Sequence, residues 1–364
     1  MTKGFTNNGA DRVAEVLAGH VDAGRLPGAV FGASRGGETQ VRSVGAAAVG
    51  GPAMPPDAVF RITSMTRPIT AVATLMLVDR GLISLDEPVD RLLPELADRQ
   101  VLRRLDGPID DTVAADRPVT VRDLLTFRGG FGMILADLDD YPILQAEDAL
   151  GLRSVGPPFP ATAHHPDEWI RRMGALPLMD QPGTQWRYAT GSMILGVLVA
   201  RAAGQPLASF YRDAIFDPLG MDHTGFTVPS DGGRVPPDCY QHVDGVLQPV
   251  DDGGTWTRPP VFPDGGAGLV STVADYLAFA RMLLDGGGGG AAGSGSGSGS
   301  GAGLLSPELV SLMTTDQLSA DQRASGGLIL GDRGWGFGLS ILPTPPPPAR
   351  GPKGYGWGGG FGTV

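Results

Sequence analysis

The chain has 364 residues, of which 41% are hydrophobic, and its 28 basic and 39 acidic side chains leave a net charge of −11. That length can bury a large core, while that charge argues against nucleic acid as a partner, since nucleic acid rewards a basic surface. The one cysteine, Cys239, excludes an intrachain disulfide and a thiolate metal cluster.

At the N-terminus, Met1-Thr2-Lys3-Gly4-Phe5-Thr6-Asn7-Asn8 lacks the apolar run of a signal peptide. No apolar stretch is long enough to span a bilayer. The expectation is a cytoplasmic protein without a membrane partner. Residues 10–24 follow as an amphipathic helix, with Val13, Val16, Leu17 and Val21 near one face. Two β-like runs, 28–34 and 39–49, joined across Arg35-Gly36-Gly37, read as a hairpin.

The stretch Phe60-Arg61-Ile62-Thr63-Ser64-Met65-Thr66-Arg67-Pro68-Ile69-Thr70 then opens a helical apolar pattern that runs to about Arg80 and stops at Gly81. A serine at the mouth of a buried helix has its hydroxyl fixed and its own N–H available to a substrate carbonyl. The residue three places on lies one turn further, within reach of that hydroxyl. Here it is Arg67. On its own the motif is equally a plain helix cap, because serine is a common N-cap.

Residues 82–89 predict a short helix that Pro94 ends, and 120–126 another with Thr120 as cap. Residues 129–166, rich in Gly, Pro and Asp, read as loop and as a candidate wall for a substrate cleft. Further helices are expected over 167–174, 191–203, 206–216 and 271–284. Residues 286–303 are almost pure Gly, Ala and Ser, a flexible coil inserted in a domain. Helix-like sequence resumes at Ser306, residues 334–341 read as a strand, and a proline run over 343–348 precedes the glycine-laden 354–364. A β hairpin, a long helical middle and strands again predict an α/β domain built from both chain ends, residues 1–63 and 265–364. A mostly helical domain, 64–264, lies between them.

Three further stretches carry candidate chemistry. Gly32-Ala33-Ser34-Arg35-Gly36 matches G-x-S-x-G, but the nucleophile elbow needs a strand–turn–helix. The continuation here alternates like a strand, so Ser34 is set aside. Pro182-Gly183-Thr184-Gln185-Trp186-Arg187-Tyr188 is a turn-rich loop that delivers a tyrosine just before a helix. Such a tyrosine is either a general base, if nearby cations lower its pKa from about 10, or an ordinary core residue. Around Trp357-Gly358-Gly359-Gly360 the glycines suit a strand that brings its backbone close to a ligand, or else a flexible tail.

Taken together, Ser64-Met65-Thr66-Arg67, the loop ending in Tyr188, and Trp357-Gly358-Gly359 resemble the three motif boxes of the class C β-lactamase-like serine hydrolases, most of all the family VIII carboxylesterases. Residues 120–126 and 266–272 also resemble the connecting segments of that family. The resemblance implies an antiparallel sheet flanked by helices plus a helical domain, the β-lactamase/transpeptidase-like arrangement. It implies Ser64 as acylated nucleophile, Tyr188 as general base or proton relay, and the N–H groups of Ser64 and Gly360 as oxyanion hole. Trp357, Gly359 and Thr190 would shape the substrate pocket. The reaction would be two-step acyl transfer from a small ester or amide to water, with no metal or cofactor.

The sequence departs from the family pattern in several places. Thr190 and Trp357 replace the Asn and Lys of β-lactamases, which points to esters rather than β-lactams. Arg67 replaces the motif lysine, and a guanidinium, with a pKa above about 12, cannot serve as a base at neutral pH. It can act only as a fixed cation beside Tyr188. Weak or absent turnover is expected, and a non-catalytic homologue that retains ligand binding is the alternative. The family's further C-terminal strands and closing helix do not follow Val364, so a truncated, poorly stable chain is a further expectation.

Overall fold

The computed structural model describes residues 9–153, 164–228, 236–251, 254–288, 303–343, 354–360 and 362–364. The Gly/Ser coil falls largely outside the described residues, as does the proline run beyond residue 343.

The chain opens with α1 (Gly9–Asp22), followed by the antiparallel strands β1 (Gly28–Arg35) and β2 (Glu38–Gly45). Both turn residues, Gly36 and Gly37, have positive φ, so the hairpin closes in the primed form that suits twisted strands. Ser34 lies on β1, where its hydroxyl donates to the Glu38 carbonyl. No helix follows it, and the elbow match is coincidental. A short strand β3 (Phe60–Arg61) leads into a 3-10 turn over Thr63–Met65 and then α2 (Thr66–Asp79). Every residue of α2 from Thr66 to Leu77 is buried, and Gly81, with φ +68°, ends it as the sequence predicts.

The expected helix over 82–89 is instead a turn followed by 3-10 turns at Val89–Arg91 and Pro94–Leu96. Pro88 disfavours helical geometry in the residue before it. The middle segment then carries a two-stranded ladder, β4 (Gln100–Leu102) with β5 (Thr112–Ala114). Next comes α3 (Val121–Leu125), capped reciprocally by Thr120 and Asp123. Residues 129–166 are not all loop, since Pro142 at the first turn opens α4 (Pro142–Ala149).

Helices α5 (Pro166–Gly174), α6 (Thr190–Ala203) and α7 (Leu207–Tyr211) come next. The chain continues through a π-helical turn into α8 (Asp217–Leu219). A hairpin of β6 (Cys239–Val243) and β7 (Val246–Asp251) precedes β8 (Val270–Ser271) and α9 (Val273–Leu284). The last elements are α10 (Pro307–Met313), α11 (Ala320–Ser325), α12 (Gly327–Leu330) and three strands, β9 (Gly334–Trp335), β10 (Ser340–Ile341) and β11 (Tyr355–Gly356).

Residues 334–341 are therefore a tight hairpin rather than one strand, with Trp335 opposite Ser340 and the turn relieved by Gly338 at φ +71°. The α/β class holds, but the strands form separate antiparallel ladders among the described residues, namely β1–β2, β3–β8, β4–β5, β6–β7 and β9–β10–β11. Helix α9 packs on β1 so closely that a Cβ at Gly32 would overlap Val273 and Leu277. The largest apolar core is built around α2 and α6, with Ile69, Leu75, Leu77, Ile194 and Leu198 fully buried.

Candidate active site

Strand β3 pairs with β8, and the Ile62 N–H donates to the Leu269 carbonyl just beyond that ladder. The backbone then turns through Thr63 at φ +44°, a conformation that costs a non-glycine residue and concentrates at functional sites. The turn sets Ser64 at the entrance of α2. Ser64 lines a cleft of about 440 Å³ together with Arg67, Tyr188, Asp264, Trp357 and Gly358–Gly360. The three stretches singled out from the sequence are thus brought to one cavity.

Tyr188 is presented by a second strained residue. Ala189 sits at φ 86°, ψ −64° immediately before α6, close to the rare three-residue γ-turn. Its carbonyl faces Arg67, whose Nη1 donates to it at 2.8 Å. Arg67 Nε donates to Tyr188 Oη at 3.1 Å, and Trp357 Nε1 donates to the same oxygen at 2.7 Å. With two donors accepted, the phenolic proton must point away from both. The guanidinium carbon also lies 4.4 Å from the Tyr188 ring centroid, a cation–π contact. Arg67 is only 4% exposed, and it forms no ion pair among the described residues.

Beneath the tyrosine, Phe127, Trp186 and Trp335 build an aromatic floor, with Trp335 edge-on to Trp357 at 4.9 Å. Trp357 reaches its place because β11 pairs with β10. At Gly359 a side chain would strike Thr63 Oγ1 and come within 2.7 Å of the Ile62 carbonyl oxygen. Only glycine lets this segment lie against the Ser64 turn. Gly360, by contrast, has open space around it. Thr190, the first residue of α6, does not line the Ser64 cleft. It lines a second chamber of about 570 Å³, which shares Met133, Ala189 and Met193 with the cleft.

The sequence reading passed over Asp264. Burial pushes its carboxyl above the usual range, against the pull of the Gly266 N–H and of the Arg67 charge. The Gly266 N–H bond to its Oδ1 is 2.6 Å. The available signal was its place, two residues before the glycine-rich 266–272 segment. Among the described residues no cluster of His, Cys, Asp and Glu is arranged to hold a metal ion. No single described helix is long and apolar enough to cross a membrane.

The family model described as Beta-lactamase matches residues 13–364. Protein Rv1367c of Mycobacterium tuberculosis is 36% identical over 357 residues, covering 94% of this chain and 82% of its own. Esterase EstB of Burkholderia gladioli is 32% identical over 363 residues, covering 93% and 82%. Among solved structures, EstCE1, a hydrolase with promiscuous acyltransferase activity, superposes with a TM-score of 0.72 at 22% identity, covering 92% of this chain and 82% of that one. The chain belongs to the Beta-lactamase family.

Proposed function

We propose that this Beta-lactamase family member is a serine ester hydrolase working through an acyl-enzyme on Ser64. The observation that carries the reading is the pair of N–H donors, from Arg67 and Trp357, converging on Tyr188 Oη in the cleft that Ser64 lines. In the first half-reaction Ser64 Oγ attacks the ester carbonyl while Tyr188 Oη, which enters the step as the phenolate held by the Arg67 and Trp357 donors, takes its proton. The N–H groups of Ser64 and Gly360 hold the developing oxyanion, and Tyr188 returns the proton to the departing alcohol. Water then repeats the sequence on the acyl-enzyme, releasing the acid. Trp357 fixes Tyr188 and walls the pocket, Gly359 lets that wall close on the Ser64 turn, and the substrate is a small ester or amide. The 32% identity to an esterase supports the ester class.

Arg67 supplies charge and position but takes no proton, so Tyr188 is the sole base and turnover is slow. One observation favours the alternative, a non-catalytic homologue that only binds ligand. Arg67 is itself tied to Tyr188 Oη and the Ala189 carbonyl, holding the tyrosine in a fixed pose. Fluorophosphonate labelling with peptide mapping decides between them. A label on Ser64, lost in Ser64→Ala, is expected. A label elsewhere, or none, overturns the catalytic reading.

A further inference from the structure

The Ser64 cleft carries more positive charge than the proposed reaction uses. Two guanidinium groups, Arg67 and Arg333, line it against one carboxyl, Asp264. The chain as a whole has a net charge of −11, so this is a cationic spot on an acidic molecule. A guanidinium offers five N–H donors. Arg67 uses one on Tyr188 and one on the Ala189 carbonyl, and its Nη2 makes no hydrogen bond among the described residues. Unlike Nη2 of Arg61, that nitrogen is not sealed off, so the 4% of Arg67 left open includes an unused donor. Arg333 is exposed, and its side chain has no hydrogen bond or ion pair among the described residues. Asp264 neutralises neither. It forms no ion pair among the described residues, its Oδ1 accepts from the Gly266 N–H at 2.6 Å, and burial favours its uncharged form.

The cleft has two unlike ends. Toward the second chamber it shares Met133, Ala189 and Met193, and beyond them Asp137, Asp140 and Glu147 stand against the single cation of Arg153. Toward a third cavity, of about 430 Å³, it shares Arg333, Trp357 and Gly358. Arg333 is the one charged side chain among the described residues that line that cavity. An anion is therefore repelled at the first end and attracted at the second.

We infer that the Arg333 end of the cleft holds a carboxylate, so that the substrate is an ester or amide whose acyl chain carries one. The division of the substrate into acyl part and leaving group rests on the proposed acyl-enzyme reaction. In that reaction Tyr188 meets the leaving group as a phenolate, and a second negative charge there is repelled. The carboxylate thus belongs to the acyl part. The Arg333 guanidinium matches a carboxylate with two parallel N–H bonds. Arg67, whose charge no carboxylate in the cleft offsets, adds to the attraction.

Calorimetric titration of the intact chain with stable amides tests this without requiring turnover. The probes are glutaranilic acid, with its carboxylate on the acyl part, and 4-acetamidobenzoate, with its carboxylate on the amine part, each beside its methyl ester. At low salt and neutral pH, glutaranilate should bind about tenfold tighter than its methyl ester, and 4-acetamidobenzoate no tighter than its own. Added salt should shrink that preference. Arg333→Gln should bring the glutaranilate pair to within about twofold of each other, and Arg333→Lys, which keeps the charge without the two-bond geometry, should restore part of the difference. The inference is overturned if glutaranilate binds no better than its methyl ester, if the preference survives Arg333→Gln, or if 4-acetamidobenzoate shows the larger one. The preference without Ser64 labelling would sink the acyl-enzyme reading and leave the carboxylate site standing. Labelling without the preference would sink the site alone.

Discussion

Two buried arginines six residues apart, Arg61 and Arg67, are treated in opposite ways. Arg61, on β3, is 7% exposed and pairs with Asp251 at 2.5 Å, while its Nη1 donates to the Pro237 carbonyl. Trp256 Nε1 also donates to Asp251, so the pair is locked between β3, β7 and the following turn. Arg67, the second residue of α2, is equally buried but hydrogen-bonds a phenol and a carbonyl and lies against a ring face, with the Asp264 carboxyl feeling its charge without an ion pair among the described residues. Breaking a buried pair by removing one partner leaves an uncompensated charge, so Arg61 belongs to stability. Among the described residues the charge of Arg67 is in no ion pair, and its Nε is directed at the oxygen that the proposed reaction uses. The same residue type thus serves folding at one end of the turn and site electrostatics at the other.

The largest effect expected is at Arg67. Arg67→Lys restores a side chain that can lose its proton, and the rate on short p-nitrophenyl esters should rise about 10²–10⁴-fold with little change in unfolding midpoint. A wild-type rate equal to that of the Lys variant would collapse the distinction between the two arginines. Asp251→Ala should do the reverse, costing about 3–5 kcal/mol in denaturant unfolding while the folded fraction keeps its Ser64 labelling.

Glu147 gives the acidic counterpart, a carboxyl without the kind of partner Asp251 has. Its folded pKa of about 7 stands above its ordinary 4.5 because of burial. Between those values the folded chain keeps a proton that the unfolded chain has lost. Stability from this group should therefore fall as pH rises from 4.5 to about 7 and level off above, by on the order of 1–2 kcal/mol given its half-buried position. Glu147→Gln should flatten that slope in a pH series of thermal melts. The smallest effect is at Ala189, whose backbone stores strain. Ala189→Gly should gain about 1 kcal/mol of stability and lower ester turnover, as Tyr188 loses its fixed pose. A stabilised variant with unchanged turnover would separate the strain from the function.

Ser64, Tyr188 and Trp357 were legible because each sits in a local pattern, a serine at a helix mouth, a tyrosine after a turn, a tryptophan among glycines. The hairpin of β1 and β2, the ends of α2 and the Thr120 cap were legible for the same reason. Asp264 was harder to read, since its raised carboxyl comes from burial and the charge it feels belongs to Arg67, 197 positions away in sequence. Thr190 faces the neighbouring chamber because α6 begins there after the turn at Ala189, a backbone geometry that the sequence does not report. Helix α4 was hidden by the proline and aspartate content of its surroundings, although Pro142 at its first turn was the available clue. The separation of the strands into distinct ladders depends on pairing between distant segments, which propensity does not report.

The aromatic floor under Tyr188 has an optical consequence. Of the five tryptophans, Trp186 and Trp335 are buried in that floor, and Trp357 hydrogen-bonds the tyrosine hydroxyl directly. Any event that moves the phenolic oxygen or fills the Ser64 cleft changes the surroundings of Trp357 and, through its 4.9 Å edge contact, of Trp335. Intrinsic emission is therefore a label-free clock for the site. If the proposed acyl-enzyme forms, a stopped-flow trace on mixing with ester should separate its formation from its decay in the native chain.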